Sequence, residues 1–200
     1  EKGNRGRKEG VGLFTGALMA RYPWLPVEED GRLHDPLLRE NFVERVFALH
    51  ELNALRARGL TRHGLLAFHS RYKLQLLAHH QAGYREIGPF VASLHEWEDL
   101  EAFFEVYREK LMAILKQPAS RKNHTNVLMH IQGYFRDQLN SRQRGELREV
   151  ILNYRAGLLP ILAPLTLLKH YLAEYPDRYL QAQNYFDPYP QDLALRLTVN

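Results

Sequence analysis

The chain has 200 residues, of which 45% are hydrophobic, 25% charged and 11% aromatic, a composition that excludes disordered and fibrous proteins. The length suffices for a large core without disulfides, and the absence of cysteine excludes thiolate metal sites, iron–sulfur ligation and cysteine nucleophiles within these residues. The formal net charge of +4, with ten histidines besides, is by itself only a weak indication of an anionic partner.

The first elements are predicted from apolar spacing and helix-capping residues. A short apolar stripe predicts a helix that ends before Pro23, and the segment Leu25–Val27 can form at most a short edge strand. Asp35 followed by proline is typical of a helix start, so we expect a helix over Pro36–Arg58 that stops at Gly59.

The next two helices are predicted from Thr61 onward. Thr61 caps a helix whose apolar residues point one way (Leu65, Phe68, Tyr72, Leu76), while polar residues lie largely on another face (Arg62, His69, Lys73, His80). The following helix, Gln81–Leu94, should be bent or split at Gly88-Pro89.

The second half of the chain is also predicted to be helical. The apolar periodicity predicts helices over Glu96–Lys116, Arg121–Leu139, Glu146–Leu159 and Pro164–Tyr175. From Asp177 the chain is rich in Tyr and Pro and should pack as an irregular strap. We therefore expect an all-α bundle of about seven or eight helices.

The basic residues are unevenly distributed. Leu52–Arg85 contains six Lys or Arg and no acid, and Lys110–Arg136 contains five and no acid, with an acidic block between them (Glu96, Glu98, Asp99, Glu101, Glu105, Glu109). Two acid-free stretches that are also rich in His and Tyr are typical of nucleic-acid binding.

The segment Ser120–Asn126 is the strongest candidate site. If Ser120 caps a helix, Arg121 and Lys122 lie in its first turn, where the helix dipole disfavours cations and the free N–H groups favour a phosphate. The alternative is a helix that begins near Thr125, with the basic residues in a loop.

Other residues could extend a basic, aromatic surface. His69, Arg71 and Lys73 surround Tyr72, a pattern suited to stacking bases and holding phosphates, although the spacing of Tyr72 favours a core position. Asn123 is expected to bind backbone phosphate together with Arg121 and Lys122, and Arg62 to extend the basic track of Arg71 and Lys73. Weaker candidates for contact with base or ribose are His124, His130 and Tyr134, and Lys169 is a candidate for the same basic surface.

Catalytic and metal sites are not predicted. The histidine spacings lack a metal-binding pattern, and no Gly-x-Ser-x-Gly elbow or phosphate-binding glycine loop occurs. The longest apolar run, Ala156–Leu168, is interrupted by two prolines and is too short to cross a bilayer, and no signal peptide is visible. We expect a cytoplasmic, monomeric piece of a longer polypeptide, with no membrane partner.

From Val46 to Arg196 the sequence resembles the YbgA family of bacterial proteins, long described as a domain of unknown function. The resemblance covers three quarters of the chain and rests on these runs: Phe47–Leu52, Phe68–Leu74, Tyr84–Ala92, His124–His130, Gln132–Phe135, Leu162–Leu165, Lys169–Tyr171 and Tyr175–Asp177.

The upstream part resembles the end of a TudS-type desulfurase domain, in the runs Gly10–Phe14, Leu25–Glu29, Gly31–Pro36 and Leu38–Phe42. Proteins that join the two resemble RudS-type tRNA 4-thiouridine desulfidases. That resemblance implies a four-iron four-sulfur cluster on three cysteines of the TudS half, an open iron that accepts the sulfur, and a YbgA half that engages tRNA.

These observations predict two segments, 1–45 as the tail of a TudS-type domain and 46–200 as a YbgA-type helical domain. We expect the helical domain to bind tRNA and not to be catalytic alone, since it has no cofactor of its own. One alternative is an adaptor that docks on the desulfurase half, and another is a His-based metalloenzyme.

Overall fold

A computed structural model describes residues 12–196 of the chain. Within them the fold is all-α, with short 3-10 turns between some of the helices and no β-strand. The helices are α1 (Leu13–Arg21), α2 (Pro36–Ala57), α3 (Arg62–His79), α4 (Gln81–Ala92), α5 (Leu100–Leu115), α6 (Arg121–Tyr134), α7 (Ser141–Arg155), α8 (Leu162–Glu174) and α9 (Arg178–Ala182).

Side-chain caps fix where most of these helices begin. Asp35 accepts hydrogen bonds from the N–H groups at the start of α2, Thr61 caps α3, and Ser120 accepts from the Asn123 N–H at the start of α6. Asn140 and Gln143 form a reciprocal capping box on α7. This box explains why α7 begins at Ser141, five residues before the predicted Glu146.

Two clusters of buried apolar side chains form the core, and α3 contributes to both. One cluster is formed by α2 to α5 and includes Phe68, Tyr72 and Phe104. The other is formed by α6 to α8 and the C-terminal tail, and it includes Leu74 and Ala78 of α3. Two faces of one helix therefore belong to different halves of the core, since Leu76, between Leu74 and Ala78, lies in the cluster of α2 to α5.

The C-terminal tail is packed rather than loose. It contains α9 and two short 3-10 turns, and Tyr185 is fully buried. The Gln183 amide donates to the Ser70 carbonyl at 2.7 Å and accepts from the Leu74 N–H at 3.2 Å. The tail is thereby hydrogen-bonded to one turn of α3 at two points.

A further difference from the sequence expectations is that α4 is continuous through Pro89 and not split there. Leu25–Val27, where at most a short edge strand was expected, has no strand partner within the described residues. Pro89 lies in the last turn, so it removes one backbone hydrogen bond, and the following 3-10 turn, Ser93–Glu96, continues the chain from the end of α4.

The N-terminal part of the described chain is less buried. Helix α1 has no buried residue, and Leu13 is 97% exposed. Residues 1–11 of the predicted first segment lie outside the described residues, and α2 runs without a break across the expected junction at residues 45 and 46. Among residues 12–196, no helix combines the length and the apolar character needed to cross a bilayer.

Candidate nucleic-acid interface

A concave surface of about 380 Å³ lies between the end of α3, the start of α4, the exposed face of α6 and α9. We call it the tyrosine groove. None of its lining residues is acidic; they are Leu74, Leu77, Gln81, Tyr84, Arg85, Asn126, His130, Tyr134 and Tyr179. The groove therefore combines apolar, aromatic, amide and cationic groups without a carboxylate.

One stripe of α6 forms a wall of this groove. Lys122, Asn126, His130 and Tyr134 follow one another at intervals of four residues, which places them on the same helix face. Lys122, His130 and Tyr134 are all exposed. The structure thus brings three predicted contact residues into one line.

A stacked tyrosine pair forms the aromatic part of the groove. The rings of Tyr134 and Tyr179 lie with centroids 5.7 Å apart and an interplanar angle of 18°, and Tyr134 is 45% exposed. Burial, with the nearby phenols of Tyr134 and Tyr84, raises the pKa of Tyr179 to about 12. Tyr134, being 45% exposed, remains partly accessible to another ring.

Cations lie within and beside the groove. Arg85 is exposed and lines it directly. Lys73 lies one helical turn before Leu77 on the same face of α3, and Lys122 lies one turn before Asn126 on α6. Positive charge therefore extends from the groove along two helices.

The N-terminus of α6 faces a second concavity, the α6 pocket, of about 320 Å³. Its lining includes Ser120, Arg121 and His124 of α6, Glu40 and Glu44 of α2, and His79, Tyr154 and Arg196. Arg121 donates to the Tyr154 carbonyl, and its guanidinium lies 4.9 Å from the centroid of the Tyr154 ring. Arg121 is thus directed inward, away from the outer stripe that carries Lys122.

Buried charges are paired beside this pocket. Glu44 accepts from His79 at 2.5 Å and from Arg196 at 3.2 Å, and Glu40 accepts from Arg196 at 2.9 Å and from the Tyr189 hydroxyl at 2.7 Å. Burial alone would raise the pKa of Glu44, but His79 and Arg196 lower it to about 2. Burial alone would lower the pKa of His79, but Glu44 raises it.

Helix α6 starts at Arg121, as the capping interpretation predicts, and not near Thr125. Its first turn contains Arg121, Lys122 and Asn123 and no acidic residue. Asn123 is partly buried, and its amide lies 3.5 Å from the His79 carbonyl. These three residues do not share one surface. The side chain of Lys122 is exposed, whereas Arg121 faces the Tyr154 carbonyl and Asn123 faces the His79 carbonyl.

Two histidines expected to contact a ligand at the surface are buried instead. His69 is 4% exposed, with Nδ1 3.1 Å from the Tyr107 hydroxyl, and burial with the nearby Lys73 charge lowers its pKa to about 4. His124 is 8% exposed and bonded to Tyr185. A contact of His69 with nucleic acid at the surface of α3 is therefore not what the structure offers, because the ring packs against Tyr107 of α5.

The other predicted cations have partners inside the protein. Arg62 donates to the Trp97 carbonyl at 2.6 Å, Arg71 lies 5.6 Å from the centroid of Phe68, and Lys169 pairs with Asp187 at 2.5 Å. The structure does not bring Arg62 or Lys169 to the tyrosine groove.

Of the nine residues that line the groove, only His130 and Tyr134 were predicted contacts; those that were not include Tyr84, Arg85, Asn126 and Tyr179. Tyr84 and Arg85 end the first acid-free stretch, and Asn126 lies one helical turn before His130. Tyr179 belongs to the tyrosine-rich tail, whose position against α6 no local pattern indicates.

The described residues contain no set of ligands for a metal ion or an iron–sulfur cluster. No group of three or more His, Asp or Glu among residues 12–196 is arranged to hold a metal ion. The sequence has no cysteine, so its residues do not fit the iron–sulfur cluster that the family resemblance implies, and no step involving that cluster is derived.

The fold and the groove define a class: an all-α protein with a basic, tyrosine-lined concave surface. The family described as "Protein of unknown function (DUF1722)" matches residues 73–190. The "Uncharacterized protein YbgA" of Escherichia coli (strain K12) is 51% identical over 152 residues, which cover 76% of this chain and 90% of that protein. The chain therefore belongs to the DUF1722 family, and it matches no solved structure.

Proposed function

We propose that this helical domain binds tRNA through the tyrosine groove. The observation that carries the proposal is the exposed Tyr134 ring, stacked on Tyr179 and flanked by His130 and Arg85 in a concavity without carboxylates. Such a ring can stack on any unpaired base, whatever its identity, because every base has an aromatic face.

The charges around the groove supply the second part of the argument. Arg85 within it, with Lys73 and Lys122 beside it, would contact phosphates on either side of a stacked base. Asn126 offers both donors and acceptors for a base edge or a ribose hydroxyl. The groove therefore matches one or two unpaired nucleotides and their backbone.

The test is Tyr134→Leu, which retains an apolar side chain but removes the stacking face. Loss of one base stack costs roughly 1–3 kcal/mol, so the Kd for tRNA should rise about 5- to 150-fold. Arg85→Ala with Lys122→Ala should weaken binding and also reduce the slope of log K against log salt by about 0.7–0.9 per phosphate contact. Fluorescence anisotropy over a salt series measures both quantities.

Arg142→Ala is the matched control, since Arg142 is an exposed α7 arginine paired with Glu146 and does not line the groove. It should leave the affinity unchanged. Equal tRNA affinity of the wild type and Tyr134→Leu at low salt would reject the groove as the binding site.

We further propose that the domain presents tRNA to a TudS-type desulfurase domain of the same polypeptide, which would remove sulfur from 4-thiouridine. This proposal is supported by the resemblance of residues before 46 to the end of such a domain. In the two-domain protein, Tyr134→Leu should raise the KM for thiolated tRNA more than it lowers kcat. A change in kcat alone would contradict the proposal.

A second candidate is an adaptor that contacts the desulfurase half directly. It is favoured by the exposed apolar side chains of α1, Leu13 and Phe14, which are 97% and 81% exposed. Under this alternative, the isolated desulfurase domain binds the chain, excess tRNA does not displace it, and Leu13→Ser with Phe14→Ser abolishes the association.

A further inference from the structure

The α6 pocket has the features of a site for a small anionic ligand, distinct from the tyrosine groove. It is bounded by the start of α6, the first turns of α2, the end of α7 and residues 195 and 196 of the tail. Three cations, His79, Arg121 and Arg196, lie beside two carboxylates, Glu40 and Glu44.

The carboxylates of this pocket are largely occupied by internal partners. Both oxygens of Glu44 are bonded, one to His79 and the other to Arg196, and Oε1 of Glu40 accepts from Arg196 and from Tyr189. Both ring nitrogens of His79 are also hydrogen-bonded, because Nδ1 donates to the Gln117 carbonyl at 2.7 Å. These groups hold one another in place and leave ligand binding to other donors.

His124 supplies such a donor. Its Nδ1 lies 2.7 Å from the hydroxyl of Tyr185, which is fully buried and has no other hydrogen-bond partner among the described residues. A buried hydroxyl must donate its hydrogen, so Nδ1 is the acceptor and the ring proton is on Nε2. Burial, with the Arg196 charge, lowers the pKa of His124 to about 3, which keeps the ring neutral.

The Nε2–H of His124 has no acceptor within the described part of the chain, although the residue is only 8% exposed and its ring lines the pocket. The same wall contains the start of α6, where Ser120 caps only the Asn123 N–H. The N–H groups of Arg121 and Lys122 have no acceptor among the described residues, as expected for a first helical turn. One wall thus combines several donors with the positive end of a helix dipole.

We propose that the α6 pocket binds the phosphate of a nucleotide-sized phosphomonoester. The phosphate would accept from His124 Nε2 and the first-turn N–H groups, and Arg121 would supply charge. A phosphate ion alone fills only a fraction of about 320 Å³, and the rest of the lining offers apolar and aromatic side chains, including Leu37, Tyr154 and Ile161, beside the paired carboxylates and Asn41. This inference does not depend on RNA binding by the tyrosine groove.

The test uses uridine monophosphate, uridine and inorganic phosphate in calorimetric titrations of the whole chain. Uridine monophosphate should bind at least about tenfold more tightly than either fragment, since a charge-assisted hydrogen bond contributes on the order of one decade in affinity. No difference between the nucleotide and the nucleoside, or no binding by the nucleotide at millimolar concentration, would overturn the proposal.

The diagnostic variant is His124→Phe combined with Tyr185→Phe, which removes both partners so that no buried hydroxyl is orphaned. It should retain cooperative thermal unfolding and lose uridine monophosphate binding at least about tenfold. Unchanged nucleotide affinity in this double variant would reject the His124 assignment. Ser120→Pro provides a second variant, since it removes the cap and reshapes the same wall from the backbone.

His130→Phe is the matched control, because His130 lines the tyrosine groove and not the α6 pocket. It should leave nucleotide binding intact while changing tRNA binding. The proposal for the α6 pocket and the proposal for the tyrosine groove can therefore be rejected independently of each other. Oligouridylates with a 5′-phosphate and with a 5′-hydroxyl identify the source of the phosphate. Preference for the phosphorylated strand assigns the pocket to an RNA end, and equal weak binding of both strands assigns it to a free nucleotide.

Discussion

At the scale of single residues, Glu44 and His79 carry opposite charges on side chains that are almost fully buried. Each is less than 5% exposed, and Arg196 contacts Glu44 from the other side. Removing one member of such a pair leaves its partner charged and buried, which costs about 3–5 kcal/mol.

Glu44→Gln should therefore lower the free energy of unfolding by about 3–5 kcal/mol, with a pH dependence fixed by the two pKa values. The pKa of Glu44 is lowered to about 2, so its contribution is full above 4.5 and is lost as the pH falls towards 2. The pKa of His79 is raised, so its contribution is full below 6.5 and is lost as the pH rises through the folded value. The stability gap between wild type and variant should peak between pH 4.5 and 6.5.

Urea unfolding at several pH values measures this gap. Glu146→Gln is the control, since Glu146 pairs with Arg142 at the surface and its loss should cost about 0–1 kcal/mol. A gap that does not vary with pH would mean that Glu44 and His79 do not form an ion pair in the folded state.

Single residues also mark where sequence reasoning is limited. The positions of Lys122, His130 and Tyr134 on one exposed stripe follow from helical spacing. The burial of His69 and His124 does not follow from spacing. In each ring, Nδ1 is hydrogen-bonded to the hydroxyl of a tyrosine from another element, Tyr107 or Tyr185. Such pairings join residues 38 and 61 positions apart and leave no local pattern.

At the scale of elements, α4 and α5 approach closely at Gly83. A Cβ at this position would lie 2.7 Å from Ile114 Cγ1 and 2.9 Å from Nδ1 of His80. That nitrogen caps α4 by accepting from the Gly83 N–H at 3.0 Å. A larger residue would therefore disturb both the helix packing and the cap.

Gly83→Ala should destabilise the domain by roughly 1–3 kcal/mol, the usual cost of overpacking. Gly145→Ala is its counterpart, since a Cβ there meets nothing within 4 Å, and it should stabilise the domain by about 0.5–1 kcal/mol through helix propensity. Chemical denaturation of the two variants gives the comparison. A stabilising effect of both substitutions would show that α4 and α5 are not in close contact in solution.

The helix starts could be predicted because caps are local. Asp35, Thr61 and Ser120 cap α2, α3 and α6 as their sequence positions indicate. The continuity of α4 through Pro89 was missed, because a proline in the last turn of a helix removes only one backbone hydrogen bond. The position of α9 beside the groove also could not be predicted from the sequence, because it depends on where the tail packs.

At the scale of the whole molecule, α3 joins two halves of the core. Phe68 and Tyr72 belong to the half formed by α2 to α5, and Leu74 and Ala78 belong to the half formed by α6 to α8. Loss of either half would expose apolar side chains on the same helix. The two halves should therefore unfold together.

This cooperativity is testable because both tryptophans report on one half. Trp24 and Trp97 pack against the cluster of α2 to α5, whereas far-ultraviolet circular dichroism follows all the helices. The two probes should give the same midpoint and slope in urea. Tryptophan fluorescence that changes before or after the dichroism would show that the halves unfold independently.

The charge pattern of the whole chain corresponds only in part to the positions of the cations in the structure. Arg85 and Lys122, from the two acid-free stretches, lie in or beside one groove. Arg56, however, pairs with Glu101 and Glu105 of α5, so part of the first stretch is neutralised by the acidic block. Linear charge runs indicate that a basic surface exists but not which of its members are paired across helices.

The contact between Arg196 and Glu44 has a consequence for synthesis on the ribosome. These residues are 152 positions apart, so α2 emerges long before the guanidinium that completes its buried carboxylates. Until then, Glu40 lacks its partners Tyr189 and Arg196 and must remain hydrated, because burying it unpaired would be costly, whereas Glu44 already has His79 of α3. The final packing around Glu40 is therefore delayed until the tail has been translated.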